Sequence, residues 1–289
     1  MTVDRRLAGI ATMTDENSAE ASTKPNGRLH AGVRRIGALT PLWYLISLVL
    51  LVLAWQVVCW LKIVPDYILP GPAIVYHGSG DYHGVLLTAL RYTLSELLIT
   101  VAISMAIGTV LGVGIAFWRP LQRLAMPLLV TLQALPKIAL TPIMLVIFGI
   151  GFRTDVLVGI MIACFPVIMN VELGIRSIDA DYIKLGRAMA GSRWRILYRI
   201  RLPSALPAFF AGLKVAITLA LTGVIVGEFI AGNEGLGYLA LTAIGNQNSE
   251  LNFTSISWLA ILGLVVFGLA TGLERFGLRH FPDAMDAKK

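Results

Sequence analysis

The chain has 289 residues, of which 56% are apolar and only 14% are charged, and its mean hydropathy is +0.76. An ordinary soluble domain carries about a quarter charged residues, so this composition excludes that class and indicates a protein with several membrane spans. The net charge of +7 does not indicate nucleic-acid binding, because the basic residues lie in loops between hydrophobic segments. Cys59 and Cys164 lie in apolar runs without a CxxC or Cys/His pattern, which predicts neither a metal site nor a disulfide.

The first part of the chain combines a polar tail with two hydrophobic segments. Residues 1–38 are rich in Ser, Thr, Ala and Asn, which predicts a disordered cytoplasmic tail rather than a cleaved signal peptide. Residues 39–61 carry no charge and have Trp and Tyr toward both ends, as interfacial anchors do, which predicts the first span. Residues 85–118 predict the second span. Three of its glycines offer a face for close helix packing: Gly108, Gly112 and Gly114.

The second part of the chain holds the remaining hydrophobic segments. Residues 123–152 contain two pieces that are each too short to cross a membrane, with prolines among them, which predicts one broken third span. The fourth, fifth and sixth spans are predicted at residues 156–171, 206–230 and 251–273. We expect the fifth span to be interrupted as well, at Lys214 and Glu228. The fold class is therefore all-α, an integral membrane protein with about six transmembrane helices.

The distribution of positive charge predicts the orientation. Nineteen of the 24 Lys and Arg residues lie in the amino-terminal tail, the loop at Arg119 and Arg123, a long loop over 176–205, and the segment that follows the sixth span at residue 273. Cytoplasmic loops carry the excess of Lys and Arg, so both termini and the long loop are expected inside. The transmembrane domain is expected at 39–275, with its core at 85–275.

A search for catalytic motifs indicates a protein that is not an enzyme. There is no GxxxxGK[ST] phosphate loop, no GxSxG and no HExxH, and no cofactor or metal is predicted. Charges inside the spans are more informative, because each is costly unless it faces protein or water. Five charged residues fall there: Glu96, Lys137, Glu172, Lys214 and Glu228.

These charges receive different interpretations. Glu96 and Glu172 lie near predicted helix ends, where snorkelling or local pairing is expected. Lys137 follows Pro136 in the broken span, where lining of a transport pathway and a structural bond to a carbonyl are equally compatible with the sequence. Lys214 and Glu228 are too far apart to pair along one helix and are assigned to the pathway near opposite faces.

The long loop, RSIDADYIKLGRAMAGSRWRILYRIRLPSALP, is too polar to span and has apolar residues at helical spacing among its arginines. Two short helices that meet at a turn near Gly191 fit this pattern. Without further information, a solvated anchor of membrane topology is the plainer interpretation of such a loop.

The loop resembles the cytoplasmic signature of the permease subunits of ATP-binding cassette (ABC) importers. That signature is Glu-Ala-Ala, three residues, Gly, nine residues, then Ile-x-Leu-Pro. Its spacing matches this chain when the last elements fall on Ile200, Leu202 and Pro203, although Lys184 replaces Glu and Ala190 replaces Gly. The segments YILPGPAIVY, LQALPKIALTPIMLVIFGIGFRTDV and GEFIAGNEGLGYL resemble the nitrate, sulfonate and taurine subgroup.

The resemblance implies the type I importer permease fold with a cytoplasmic coupling helix. It also implies two cytoplasmic ATPase subunits that hydrolyse ATP, a periplasmic or lipid-anchored binding protein, a second permease copy and a bacterial inner-membrane location. The solute is expected to be a small anion such as a sulfonate, taurine or nitrate, and Trp194 and Leu197 are expected to insert into the ATPase. The rival function is a secondary transporter driven by an ion gradient. The residues assigned to coupling are Lys184, Leu185, Gly186, Arg187, Ala190, Gly191, Ser192, Arg193, Trp194, Arg195, Leu197, Ile200, Leu202 and Pro203.

Overall fold

The computed structural model describes the chain from residue 46 to residue 279 with short gaps. The described residues are 46–47, 49–62, 65, 68–178, 180–189 and 192–279. Within these ranges the secondary structure is helical and contains no strand. The predicted tail at 1–38 and most of the tail at 276–289 lie outside the described residues.

The chain divides into two compact units, Met1–Val58 and Cys59–Lys289. In the first unit, the structure describes an apolar helix, α1, at Val49–Trp60, which ends just inside the second unit. This helix covers only part of the predicted first span, because residues 39–45 lie outside the described ranges.

The second unit holds the remaining helices. They are α2 (Pro72–Asp81), α3 (His83–Phe117), α4 (Arg119–Ala134), α5 (Thr141–Phe148), α6 (Phe152–Arg176), α7 (Ala180–Ala188), α8 (Arg193–Ile196), α9 (Leu202–Ile230), α10 (Leu236–Gly245) and α11 (Ser249–Arg279). A 3₁₀ turn at Lys137–Leu140 precedes α5, and a π-helical segment at Leu197–Arg201 joins α8 to α9.

Four described helices are long and apolar enough to cross a membrane: α3, α6, the continuous helix Trp194–Ile230 that contains α9, and α11. These agree with the predicted second, fourth, fifth and sixth spans. The predicted broken third span is α4 followed by the 3₁₀ turn and α5, with a bend of 79°. The expected interruption of the fifth span is wrong, because α9 continues past Lys214 and Glu228 to Ile230. Both side chains find partners on other helices, so the backbone of α9 does not need to break.

The core of the unit lies where α6 packs between α3 and α9. Small residues let these helices approach closely. A Cβ atom at Gly108 would lie 2.5 Å from Val167, and one at Gly112 would lie 2.9 Å from the carbonyl oxygen of Ile168, both on α6. On the other side of α6, a Cβ at Gly223 would lie 2.6 Å from the Cα of Gly159. The predicted packing face of the second span is therefore confirmed for Gly108 and Gly112.

A short helix, α10, packs beside the end of α9 and against α11. Gly235 precedes it with φ of +100°, a conformation that favours glycine. The side-chain amide of Asn252 on α11 donates a 2.9 Å hydrogen bond to the carbonyl of Ala240. The helices α10 and α11 thereby form one layer next to the three-helix core.

Candidate functional site

The long polar loop forms two helical pieces that pack on each other. Gly186 on α7 faces the following helix, and a Cβ there would lie 3.0 Å from Ile200 and 3.3 Å from Ile196. The side-chain oxygen of Ser192 accepts a 3.2 Å hydrogen bond from the backbone N–H of Arg195, as a helix cap does. Ala190 and Gly191, where the sequence predicts the turn, lie outside the described residues, as do the side chains of Leu185 and Arg193.

An aromatic stack connects this loop to the first long span of the core. The ring of Trp194 lies 5.8 Å from that of Phe117, at the end of α3, with 26° between their planes. Its other neighbour is Tyr198, at 6.2 Å and 22°. Trp194 is still 63% exposed, so one side chain both contacts α3 and presents a surface to the outside.

Leu197 behaves differently from Trp194. It is 3% exposed, and the neighbouring Ile196 is 6% exposed, because both face the interior of their own chain. The prediction that Leu197 inserts directly into a partner protein is therefore wrong. Its burial instead fixes the helix Trp194–Ile230 against the rest of the second unit.

The surface of the loop is positively charged. Lys184, Arg187 and Arg195 are exposed. Lys184 donates a 2.7 Å hydrogen bond to Asp181. The two side chains are 75% and 78% exposed, so water screens this ion pair and it adds little stability. The helix then continues through Leu202 and Pro203 into α9. Pro203 has no N–H for the helical ladder, and the π-helical segment before it accommodates this missing bond.

Lys137 begins the 3₁₀ turn that follows Pro136 in the bent third span. Its ammonium lies 5.8 Å from the ring centroid of Phe165 on α6. Among the described residues, no carboxylate lies within ion-pair distance of this ammonium. Its charge is therefore uncompensated by the described part of the chain, and its side chain is half-buried.

Lys214 has an acidic partner on another helix. Its ammonium donates a 2.7 Å hydrogen bond to Glu274 on α11, and the two side chains are 27% and 19% exposed. The pair neutralises both charges and joins α9 to α11. The assignment of Lys214 to a pathway stays a prediction.

Glu228, near the end of α9, lies against the beginning of α10. One of its oxygens accepts a hydrogen bond from the hydroxyl of Thr93 and the other accepts one from the N–H of Gly237. The hydroxyl of Thr93 accepts a bond from the N–H of Leu236 at 2.8 Å. A carboxylate at this point satisfies N–H groups that a helix leaves free in its first turn.

Two further carboxyl groups lie beside Glu228, which the sequence did not lead us to expect. Glu96 on α3 contacts both Glu228 and Asp155, and all three residues are fully buried. The expectation that Glu96 snorkels or pairs locally is therefore wrong, whereas Glu172 pairs locally with Arg176 at 3.3 Å. The sequence shows each acid in or beside an apolar run, but a single sequence carries no signal of which helices meet.

The residues assigned to the loop thus come together in space where they are described, while Lys137, Lys214 and Glu228 have separate surroundings. The sequence profile of the binding-protein-dependent transport system inner membrane component family matches residues 104–275. This range includes the loop, the bent segment and the core helices. The chain belongs to this family.

Relatives in this permease family share a quarter to a third of their residues with the chain. The riboflavin transport system permease protein RibX of Chloroflexus aurantiacus is 35% identical over 81% of this chain and 88% of its own. The formylaminopyrimidine transport permease protein ThiX of Halalkalibacterium halodurans is 33% identical, over 72% and 84%. Permeases named for aliphatic sulfonate, nitrate and taurine transport match at 25%, 26% and 24% identity.

A solved structure of the MetNI methionine ABC transporter, in an inward-facing conformation, aligns with 68% of this chain and 98% of its own. The TM-score is 0.60 and the identity is 22%. The permease therefore has the type I ABC importer fold, and the family is one of transport permeases rather than catalytic proteins. ABC permeases work with an ATPase subunit.

Proposed function

We propose that this permease forms the translocation pathway of an ATP-driven importer in the bacterial inner membrane. The observation that carries the proposal is the family match over residues 104–275, which spans both the packed core and the basic loop. Two cytoplasmic ATPase subunits hydrolyse ATP in this scheme, and a periplasmic or lipid-anchored binding protein delivers the solute. The transmembrane domain runs from 39 to 275, with both terminal tails in the cytoplasm, as the excess of Lys and Arg in loop and tails supports.

The loop over 176–205 is the ATPase-coupling element in this proposal. Its exposed Lys184, Arg187 and Arg195 suit charged contacts around a docked partner. Trp194 suits an apolar contact, and its stack on Phe117 supplies a direct route from that contact to α3. Closure of the ATPase subunits would therefore move the loop as a body and shift the balance between inward and outward arrangements.

The pathway lies between two copies of the permease. None of the described residues of α4 is buried within the chain, although the helix is part of the bent third span. Its apolar side chains therefore need lipid or another protein around them. Lys137 and Pro136, next along the same segment, are in this proposal accessible to the pathway.

The solute is a small molecule, and two chemical classes have support. The uncompensated charge of Lys137 supports an anion, because it lowers the barrier for negative charge in an open pathway. Relatives named for sulfonate, nitrate and taurine transport belong to that class. The relatives with 35% and 33% identity are instead named for riboflavin and formylaminopyrimidine, which supports a nitrogen heterocycle.

Uptake by reconstituted complexes tests the proposal against the ion-gradient alternative. Proteoliposomes with the permease, its ATPase and its binding protein should accumulate solute when ATP is supplied inside. Permease alone under a sodium or proton gradient should accumulate none. Accumulation driven by a gradient without the ATPase would instead identify a secondary transporter.

The solute class is tested on the cognate binding protein and on Lys137. A thermal-shift panel of sulfonates, nitrate, taurine, flavins and pyrimidines identifies the ligand of the binding protein. For an anionic solute, Lys137→Met should slow uptake while Lys137→Arg, which retains the charge, should not. If Lys137→Met and Lys137→Arg took up the solute at the same rate as each other, the charge of Lys137 would not matter for uptake. Lys137 would then have a structural role and would no longer support an anionic solute.

A further inference from the structure

Three carboxyl groups meet inside the second unit at the end of the bundle away from the coupling loop. Asp155 lies in the first turn of α6, and Glu228 lies near the end of α9. Both helices have their other ends at the loop, so the two residues lie at the opposite end. Glu96 on α3 contacts both of them. Each of the three residues has 0% of its surface exposed.

The hydrogen bonds of Glu228 favour its charged form over those of the other two carboxyl groups. Its two oxygens accept bonds from the hydroxyl of Thr93 and the backbone N–H of Gly237. The N–H of Tyr238 also points to this carboxyl group. The positive end of α10 and three donors stabilise a negative charge at this position.

Glu96 has a different environment. Both of its carboxyl oxygens, and both of Asp155, receive no hydrogen bond from any other described side chain or backbone group. No described Lys, Arg or His forms an ion pair with Glu96, Asp155 or Glu228. A charged Glu96 would thus lie buried against the Glu228 carboxylate without compensation. Adjacent buried carboxyl groups cannot all ionise, and they share a proton instead.

We propose that Glu96 is a buried proton-binding site, which keeps its proton at neutral pH and donates it in a hydrogen bond to Asp155 or Glu228. The bound proton links α3 to α6 or to α9, and through Glu228 it also secures the beginning of α10. The ligand is a proton rather than a metal, since no group of three His, Cys, Asp or Glu with the spacing for a metal occurs among the described residues. Asp155 and Glu228 lie near the ends of their helices. A cluster at one end of the bundle does not suit a proton relay across the membrane.

The surroundings contain few other ionisable groups. Those that face the cluster are Tyr92 on α3 and, near Tyr92, Glu234 in the segment between α9 and α10. The hydroxyl of Tyr92 lies at the backbone of Phe152, and α10 contributes backbone N–H groups. None of these groups is a cation that would stabilise a negative charge on Glu96.

Infrared spectroscopy of the full chain in lipid bilayers measures this proton directly. The wild-type protein at neutral pH should show the carbonyl stretch of a protonated carboxylic acid, and carbon-13 labelling of glutamate should shift it. Glu96→Gln should lose the band. Glu172→Gln is the matched control, because it also removes a glutamate from a span, and it should leave the band unchanged.

Several outcomes would overturn the proposal. They are a wild-type spectrum without the band, a band that does not shift with labelled glutamate, and a band of equal intensity in folded Glu96→Gln. A band that disappears at neutral pH when sodium is added would identify a cation site instead. The first two of these outcomes need neither the variant nor transport, so they can overturn the proposal even if Glu96→Gln does not fold, and they are independent of the importer function.

Discussion

At the residue scale, Gly235 is placed where no other residue fits without strain. Its φ is +100°, and a Cβ atom there would lie 2.2 Å from the Oε1 of Glu228. The carboxylate that caps α10 therefore occupies the space of the missing side chain. The motif GEFIAGNEGLGYL brings the acid, the turn and the helix start together within a few residues.

We predict that Gly235→Ala destabilises the permease by more than the roughly 1–3 kcal/mol of backbone strain at such a position. The reason is that the new methyl group also displaces the Glu228 carboxylate. Gly149→Ala is the matched control, because Gly149 also has a positive φ of +84° but nothing lies within 4 Å of a Cβ there. Thermal unfolding in detergent should show the larger loss for Gly235→Ala, and equal losses would contradict the capping role.

Trp194 gives a second prediction at the residue scale. If it is a central contact for the ATPase, Trp194→Ala should weaken association by about 2 kcal/mol or more. Phe117→Ala removes the stack on α3 but leaves Trp194 in place, and such a stack contributes about 0.5–1.5 kcal/mol. We expect Phe117→Ala to retain association and to reduce uptake per ATP hydrolysed.

Association, hydrolysis and uptake must be measured on the same reconstituted preparations to separate these effects. If Phe117→Ala left the ratio of uptake to hydrolysis at the wild-type value, the stack would not transmit motion. Normal association of Trp194→Ala would mean that the loop docks without this side chain.

At the scale of the elements, close contact between α3 and α6 depends on glycine at particular positions. We predict that Gly112→Ala destabilises the protein by about 1–3 kcal/mol, since its Cβ would lie 2.9 Å from a backbone oxygen of α6. Gly114→Ala, two residues along, should instead be neutral or stabilising by up to about 1 kcal/mol, because its Cβ would lie 3.7 Å from Leu121. Unfolding measurements on both variants check the pair, and a reversed order would show that α3 packs by another face.

The ion pair between α9 and α11 gives another prediction at this scale. Lys214→Met should destabilise the fold by about 1–3 kcal/mol, because Glu274 would remain partly buried without its partner. Exchanging the two residues, Lys214→Glu together with Glu274→Lys, should recover most of that loss. If the single change is harmless, the contribution of the pair to stability is negligible and a pathway role for Lys214 gains support.

At the scale of the whole molecule, we predict that the purified importer contains two copies of this permease. The exposed α4, whose described residues are not buried in a single chain, supports a partner at this segment. Native mass spectrometry of the complex from lipid nanodiscs should give a mass with two permeases and two ATPase subunits. A complex with one copy of this chain and one of a different permease would refute the homodimer.

Much of the architecture could be predicted from the sequence, because burying the backbone in lipid requires long apolar helices. The second, fourth and sixth spans and the broken third follow from uncharged runs and prolines. The fifth span was predicted with an interruption that does not exist, since the sequence shows the charge of Lys214 but not its partner 60 residues later. A charge within a span costs free energy unless another group compensates it. The sequence of the span does not show which side chain of a neighbouring helix does so.

The basic loop over 176–205 was likewise predicted in part from the sequence and in part only from the structure. Its position, its helical character and its family resemblance come from local composition and spacing. Which of its apolar residues face the outside depended on packing: Trp194 is 63% exposed and Leu197 only 3%, although both occur in one short helical stretch. The carboxyl cluster could not be predicted from the sequence at all, because Glu96, Asp155 and Glu228 lie on three different helices.

The sequence by itself therefore determined the class of the protein, most of its spans and the loop that identifies its family, because hydrophobic length and local motifs are properties of contiguous residues. The tertiary structure alone decided the partners of the buried charges. Those partners are set by helix packing, which brings together residues far apart in the chain, and electrostatic interactions in a buried site depend on distances of a few ångströms.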